Sequence, residues 1–253
     1  MKPVKISYIV ITWNGLSFLQ RLLQSLSRQL ERADVEVVLC DNGSTDGTAD
    51  YIRTHYPSIR YLSLAENKGV AYARNRALEQ AKGKYLFIVD NDLELTDEAV
   101  EALEQYMDTH PDVGLLAPSL LFPDGSRQGN AKYYPGMMRK IRNVFGRGRH
   151  RIDYRTQLDK GKPFEPEYVI GACQLVRREA FEAVGLLDEH IFYGPEDADY
   201  CLRMRQVGWK VVCEPSIRVV HHCQRRTTKH PLSAMGRRHM KALFYFYWKY
   251  KRL

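Results

Sequence analysis

Two groups of carboxylates are the side chains most able to do chemistry in this chain of 253 residues. The first, Asp90-Asn91-Asp92, comes directly after the apolar run 85–89. Two carboxylates one residue apart repel each other unless a cation lies between them. Hard divalent cations such as Mg²⁺ and Mn²⁺ bind carboxylate oxygens and keep coordination positions open for phosphate. A polar turn between a strand and a helix is the alternative interpretation.

The second group, Glu196, Asp197 and Asp199, follows Pro195 at the start of a predicted helix. A carboxylate placed there could be the general base that deprotonates an attacking hydroxyl. Acidic residues are also favoured in the first turn of any helix. Taken by themselves, these three residues favour the structural interpretation over the catalytic one.

Composition narrows the class of protein. The formal net charge is +8 and the pI is about 9.2, which favours anionic partners such as phosphates, nucleic acid or an anionic membrane. The five cysteines are scattered and form no CxxC pair, as is typical of reduced thiols in a cytosolic protein. No stretch approaches the roughly 20 apolar residues that span a bilayer, so we predict no transmembrane helix.

Strands and helices alternate over residues 5–108 in a β-α-β-α-β-α-β pattern, which predicts a mostly parallel sheet covered by helices. Ligands of such sheets bind beyond the carboxyl ends of the strands. Each of the four predicted strands is followed by a polar side chain that could line such a site. These side chains, in chain order, are Asn14, Asp41, Asn67 and Asp90.

The pattern after residue 118 is less regular. Residues 119–168 contain Pro, Gly and many basic side chains, and two interpretations stay open: an acceptor-binding loop or a solvated insertion. Further elements are predicted beyond it, the last of which runs into His221 and His222. They are a strand over 169–176, a helix over 178–184, a helix from Pro195, and short strands over 209–213 and 217–220.

The tail, residues 225–253, carries nine Lys or Arg and no acidic residue. Its apolar and aromatic residues recur at helical spacing. They include Met235, His239, Leu243, Phe246 and Tyr250. A basic helix with an aromatic face can lie in a membrane interface and attract anionic lipid, which is the interpretation we favour. The alternative is that its apolar face packs on the domain.

The motifs of the chain resemble those of the family 2 glycosyltransferases over roughly residues 5–225. The segment 171–203, which begins GACQLVRREAF and contains GPEDADYCLR, is the most specific and is similar to the rhamnosyltransferase-like branch that builds bacterial surface polysaccharides. The other motifs are ITWNG at 11–15, CDNGSTDGT at 40–48, ENKGVAYARN at 66–75, VDND at 89–92, GW at 208–209 and VVHH at 219–222.

Two departures from the family pattern matter. The QxxRW motif of processive synthases is absent, which favours transfer of one sugar over polymerisation. The Ser that usually follows the histidine has no clear counterpart in HHCQRRTT, residues 221–228, which puts acceptor or phosphate contacts there in doubt.

The resemblance implies an α/β GT-A fold with a mixed central sheet. It divides the chain into a Rossmann-like nucleotide-binding half over 1–118, an acceptor and catalytic half over 119–225, and a basic aromatic helix over 226–253. The implied reaction is inverting and metal-dependent, with Mg²⁺ or Mn²⁺. One sugar moves from dTDP-rhamnose or a UDP-hexose to a glycan or lipid-linked acceptor. We expect no nucleic-acid partner, and a cytoplasmic protein that is peripheral on the inner face of the membrane.

The resemblance also implies roles for single residues. Asp197 is the candidate base, and Asp90, Asp92 and His221 are the candidate metal ligands, with His222 less favoured than His221. Thr12, Trp13 and Asn14 would line the base and ribose, and Asp41 would accept the imide hydrogen of the nucleobase. The other donor-binding candidates are Asn67, Lys68, Arg74, Asp90, Asn91 and Asp92. The acceptor-binding candidates are Gly171, Ala172, Glu196 and Asp199, and Arg203 would pair with Asp199 at i+4.

Other functions compete with this one. A catalytically silent subunit would keep the fold and bind an anionic surface through the tail, but it need not keep Asp90, Asp92 and Asp197. A nucleotidyltransferase would need a glycine-rich basic loop after the first strand, and a dinucleotide dehydrogenase would need GxGxxG there. TWNGLS, residues 12–17, is neither.

Overall fold

The computed structural model describes residues 3–135, 154–223 and 233–250. The first part alternates strands and helices as the sequence predicts, and Thr96 caps its last helix by accepting a hydrogen bond from the Ala99 amide. The elements are β1 Ile6–Thr12, α1 Leu16–Ser25, α2 Ser27–Leu30, β2 Val35–Asp41, α3 Thr48–His55, β3 Arg60–Ser63, α4 Val70–Leu78, β4 Tyr85–Asp90, β5 Leu93–Glu94 and α5 Asp97–Thr109.

The second part is richer in short strands. Its elements are β6 Val113–Leu121, β7 Arg127–Gln128, β8 Ala131–Lys132, α6 Arg155–Lys160, β9 Tyr168–Val169, β10 Cys173–Arg177, α7 Arg178–Val184, α8 Glu196–Gln206, β11 Lys210–His221 and α9 Ala234–Lys249. The basic residues at 139–151, which belong to the predicted loop 119–168, lie outside the described residues. So do the tail cations at 225–229 and 251–252. No helix within the described ranges is long and apolar enough to cross a membrane.

One mixed sheet organises the described residues, in the order β3-β2-β1-β4-β10-β6-β11-β5, with β7 paired to β6 and a separate β8-β9 pair. Strands β1 to β4 are parallel, whereas β10 runs antiparallel to both of its neighbours, β4 and β6. The register sets Thr12 beside Asp41 and Ile11 beside Asp90. The carboxyl ends of these strands therefore meet at one edge.

The sheet is buried on both faces, which explains why its strands read as continuous apolar runs. In β4, Phe87 and Val89 face one apolar layer, which includes Leu19 of α1 and Leu103 of α5. The intervening Ile88 faces the opposite layer. That second layer includes residues of α4 and α8, namely Ala71, Ala73, Ala77, Tyr200 and Met204.

Two predicted strand assignments are wrong. The strand expected over 169–176 is divided into β9 and β10, because the chain turns at Gly171 and leaves its pairing with β8 to pair with β4. The two short strands expected over 209–213 and 217–220 form the single strand β11, with a register shift between Glu214 and Arg218. β11 remains one strand because it pairs with the long strand β6 on both sides of this shift.

Leu175 of β10 tests this core, because it lies between Phe87 of β4 and Leu116 of β6 and is fully buried. We expect Leu175→Ala to lower the free energy of unfolding by about 2–5 kcal/mol through lost burial and a cavity. Val207→Ala, at a position that is 49% exposed, is the control and should change it by less than about 0.5 kcal/mol. Urea denaturation measures both, and equal changes in the two variants would contradict this packing.

Candidate active site

Three of the predicted metal ligands meet at the edge of the sheet. Asp90 ends β4, and His221 ends β11 opposite Leu93 of β5, so that strand pairing sets the imidazole beside Asp92. His221 Nε2 lies 3.1 Å from Asp92 Oδ1. One ligand atom from each of Asp90, Asp92 and His221 lies within 4.8 Å of the others. Such a set of two carboxylates and one imidazole suits a divalent cation.

The tautomer of His221 strengthens this assignment. Its Nδ1 lies 2.7 Å from Gln128 Oε1, and because an amide oxygen only accepts, Nδ1 must donate. A neutral imidazole then presents the lone pair of Nε2 to the carboxylate of Asp92. Two acceptors at 3.1 Å require either a proton or a cation between them. The site therefore fits a metal ion.

The protonation of His221 follows the same geometry. Burial lowers the pKa of His221, but the hydrogen bond to Asp92 and the negative charges of Asp92 and Asp90 outweigh burial, and the net pKa is raised. For Asp90, burial raises the pKa of the carboxyl group. The charge of Asp92 adds to this rise, and the charge of Arg74 opposes it. A bound cation would relieve the repulsion between the two carboxylates.

Gln128 is a site residue that the sequence reasoning missed. It lies within residues 119–168, in the two-residue strand β7 that pairs with the end of β6. The Asp124-Gly125 dipeptide before it is a hairpin signal that could have placed it near the sheet edge. By holding Nδ1 of His221, Gln128 orients the imidazole toward the carboxylates.

We expect Gln128→Ala to weaken Mn²⁺ binding by about 10- to 100-fold, because outer partners fix the orientation of a metal-binding imidazole. Titration calorimetry of the purified protein with Mn²⁺ measures this affinity without any substrate. Gln80→Ala is the matched control, since Gln80 lies on the surface and its amide oxygen accepts from Arg60. Unchanged Mn²⁺ affinity in Gln128→Ala would show that the contact is not functional.

Arg74 joins the candidate metal-ligand group, Asp90, Asp92 and His221, to the second carboxylate group. Its Nη2 donates to Asp90 Oδ1 at 2.6 Å and to the Gly171 carbonyl at 2.8 Å, and its Nη1 lies 3.6 Å from Glu196 Oε1. The side chain is only 4% exposed. The predicted contact of Arg74 with a donor phosphate stays a prediction, but its described partners are oxygens of the protein.

Asp197 lies in the first turn of α8, next to Glu196, whose carboxylate faces Arg74. Its Oδ1 accepts from the Ala198 amide at 2.7 Å and its Oδ2 from the Gly171 amide at 3.3 Å. Burial raises the pKa of Asp197, although these two hydrogen bonds and the charge of Arg74 oppose the shift. A carboxylate with a raised pKa is a stronger base, which is the property that the predicted role requires.

Glu196, the neighbour of Asp197, is buried, and burial together with the charge of Asp197 raises its pKa to about 7. Its Oε2 has no hydrogen-bond partner among the described residues. Ala172 follows Gly171 and is buried, and its carbonyl accepts from the Asp90 amide at 2.9 Å. For Gly171, Ala172 and Glu196, acceptor binding stays a prediction.

Asp199 corrects the predicted acceptor-binding set. It is fully buried and accepts from Arg203 Nε at 2.8 Å, Lys249 Nζ at 2.6 Å and Tyr250 Oη at 2.7 Å. A carboxylate enclosed by three protein donors does not face an acceptor. The predicted pair with Arg203 is confirmed.

The predicted nucleobase side is formed by loops after β1 and β2. Asn14 has a positive φ of 47° and its Oδ1 accepts from the Thr45 amide at 2.8 Å, which joins the two loops. Asp41 is buried and accepts from Tyr61 Oη and from the Ser44 amide. Trp13 is 39% exposed, so its ring is available for stacking. Base contacts of these residues stay predictions.

The predicted ribose and phosphate side lies next to this loop pair. Thr12 Oγ1 accepts from Asn91 Nδ2 at 2.9 Å, which ties the end of β1 to the metal-ligand loop. Asn67 Oδ1 accepts from the Gly69 amide, which shapes the turn before α4. Lys68 is half exposed and pairs with Glu66 at 2.6 Å. Of the predicted phosphate-binding cations, Lys68 is therefore the one open to solvent.

Comparisons with known proteins agree with this geometry. The family model described as Glycosyl transferase family 2 matches residues 7–185. An N-acetylglucosaminyl-diphospho-decaprenol L-rhamnosyltransferase of Mycobacterium tuberculosis is 32% identical over 247 residues, which cover 91% of this chain and 80% of that protein. The dTDP-rhamnosyl transferase RfbF of Shigella flexneri is 28% identical over 84% of this chain and 67% of its own.

A solved structure shares the fold. The mannosyltransferase PcManGT from Pyrobaculum calidifontis, in complex with GDP-Man and Mn²⁺, has a TM-score of 0.62 and 22% sequence identity. The match covers 89% of this chain and 60% of that one. The predicted GT-A fold with a mixed central sheet is confirmed.

Proposed function

Because the chain belongs to glycosyl transferase family 2, we propose that it moves one sugar, with inversion, from a nucleotide-diphosphate donor to a lipid-linked acceptor. Two of its relatives are named as rhamnosyltransferases, which supports dTDP-rhamnose as the donor, ahead of a UDP-hexose. The observation that carries the proposal is the position of Arg74 between Asp90 and Glu196, next to Asp197. The donor would bind residues of 1–118 and the acceptor residues of 119–225.

The donor side would be held at the metal-ligand group. Asp90, Asp92 and Nε2 of His221 would hold Mg²⁺ or Mn²⁺, and Gln128, by accepting from Nδ1, would fix the neutral tautomer whose Nε2 can bind the cation. The bound cation would neutralise the charge that develops on the departing diphosphate. Lys68, which is open to solvent, would add a second positive charge near that leaving group.

The acceptor side would use Asp197. Its carboxylate would take the proton of the acceptor hydroxyl while that oxygen attacks the anomeric carbon from the face opposite the diphosphate. The new glycosidic bond forms as the bond to the diphosphate breaks, so the anomeric configuration inverts. Burial raises the pKa of Asp197 and so favours proton transfer, whereas the charge of Arg74 opposes that rise and favours the ionised form.

A pair of variants separates binding from catalysis. We expect Asp197→Asn to lower transfer by a factor of at least about 100, because loss of a general base typically costs 10²–10⁴-fold in rate. It should still gain thermal stability from dTDP with Mn²⁺, since its donor site is intact. Asp92→Ala should lose that metal-dependent gain in melting temperature.

A thermal-shift panel of UDP, dTDP and GDP, each with and without Mn²⁺, measures these effects, and radiolabelled sugar transfer measures the rate. A shift for dTDP alone supports the rhamnosyl donor, and a shift for UDP alone replaces it with a UDP-hexose. No shift with any nucleotide from a folded sample would contradict the enzyme and favour a catalytically silent subunit.

The C-terminal helix α9 supports a membrane role. It packs Leu243 and Phe246 into the domain, yet it exposes Met240, Phe244 and Trp248 by 47%, 63% and 67%. These three side chains lie one helical turn apart and form an outward apolar stripe. The packed face agrees with the alternative interpretation of the tail, and the exposed face supports the membrane interpretation. The exposed Lys241 lies beside the stripe, and we propose that the stripe rests on an anionic membrane where a lipid-linked acceptor is presented.

Replacing the stripe with Met240→Ser, Phe244→Ser and Trp248→Ser together should weaken binding to phosphatidylglycerol-containing vesicles by about tenfold or more. One fully buried apolar side chain is worth about 1.5–3 kcal/mol, and these side chains give up no contacts in the core. Vesicle flotation measures the bound fraction. Val207→Ser, at another exposed apolar position, is the matched control. Equal binding of the triple variant and the wild type would refute the membrane role of this stripe.

A further inference from the structure

The inner face of α9 contacts the first turn of α8, the helix that carries Asp197. Lys249 Nζ donates to Asp199 Oδ1 and to Asp188 Oδ2, both at 2.6 Å. Tyr250, directly after α9, donates its hydroxyl to the same oxygen of Asp199 at 2.7 Å. Phe246 lies in an apolar cluster with Ala198, the residue between Asp197 and Asp199. The C-terminal helix is thus tied to Ala198 and Asp199, the two residues that follow the candidate base, and to Asp188 before α8.

A second contact holds the segment that leads into α8. His239 Nδ1 lies 2.9 Å from the carbonyl oxygen of Gly194 and 3.2 Å from that of Tyr193, and because both carbonyls accept, Nδ1 donates. Gly194 is two residues before Glu196, the first residue of α8. Tyr245 donates its hydroxyl to Asp188 at 3.0 Å. The segment 188–195 therefore contacts α9 at both of its ends.

Asp197 itself has few hydrogen bonds to described residues outside α8. Its hydrogen bond from the Gly171 amide is 3.3 Å long, beyond the usual range for such bonds, and its second bond comes from the adjacent Ala198 amide. The position of its carboxylate is therefore set by the position of α8. What fixes the first turn of α8 also fixes the candidate base.

We infer that α9 positions the catalytic carboxylate, with Lys249 and Asp199 as positioning residues that act through Asp197. The inference rests on the proposed function, since it takes Asp197 as the base. A buried ion pair contributes little net stability, because desolvation offsets the attraction, but it does fix the geometry of the groups it joins. Asp199 also keeps Arg203 as a partner, so that loss of Lys249 removes one bond between α8 and α9 without leaving a buried carboxylate unpaired.

Lys249→Met tests the inference, because methionine keeps most of the length and apolar surface of the side chain and removes its charge. We expect kcat to fall by about 10- to 100-fold, since a displacement of about 1 Å can cost that much, while KM for the donor stays within about twofold. Lys249→Arg should recover part of kcat. Lys210→Met, which breaks the surface pair with Asp112, is the matched control and should leave kcat unchanged.

A double-mutant cycle with Asp197→Asn identifies the route of the effect. If Lys249 acts through Asp197, then Lys249→Met should cause no further loss in the residual transfer of the Asp197→Asn variant. Additive losses, or a wild-type kcat in Lys249→Met, would overturn the inference. Wild-type transfer by Asp197→Asn alone would instead overturn the proposed base. Should Lys249→Met fail to fold, Tyr250→Phe removes only one hydroxyl from Asp199 and must show the same fall in kcat without a change in donor KM.

Discussion

The buried guanidinium of Arg74 is the interaction on which the site depends. It lies among Asp90, Glu196 and Asp197, three carboxylates that would repel one another strongly in a buried setting without a positive charge. Burial alone lowers the pKa of Arg74, but the carboxylates outweigh burial and raise it, so the group stays charged. The same guanidinium bonds the Gly171 carbonyl and thereby fixes the turn between β9 and β10.

A side chain at position 171 would clash with Arg74, which accounts for the glycine there. A Cβ built there would lie 2.4 Å from Nη1 of Arg74, closer than any real contact. The backbone at this turn can therefore approach the guanidinium while its amide faces Asp197. One glycine thus allows a single cation to contact the strand that ends at Asp90 and the helix that begins at Glu196. Arg74 thereby links the candidate metal ligand Asp90 to the helix that carries the candidate base.

The mixed sheet explains how the candidate donor contacts and the candidate base lie at one edge of the sheet. Parallel strands β1, β2 and β4 end together and supply the candidate donor contacts, as open α/β sheets commonly do. Antiparallel β10 then returns the chain so that α8 begins beside the same edge. Strand β11 brings His221 back to Asp92 across β5. The helix α9 adds a second layer of restraint, because it holds Asp199 and Asp188 from outside the sheet.

Features that depend on local order along the chain could be predicted from the residues alone. Alternating apolar runs and helical spacing predicted β1 to β4 with the helices between them, α5, the helix after Pro195 and the tail helix, since these periodicities arise within one element. The Asp199–Arg203 pair followed from i,i+4 spacing on one helix. The motifs around Asp90, Asp92, Asp197 and His221 indicated the candidate metal ligands and the candidate base.

Which of these side chains meet depends on how distant segments pair in the folded chain. The bond between His221 and Gln128 joins residues 93 positions apart, and the bond between Arg74 and Gly171 joins residues 97 apart. No local pattern encodes such contacts, because they depend on strand pairing between distant segments. The same pairing merged β11 into one strand and divided 169–176 into two. Asp199 is predicted to contact the acceptor, but it is buried against α9. A carboxylate enclosed by three donors does not face solvent, so Asp199 holds α8 and α9 together instead.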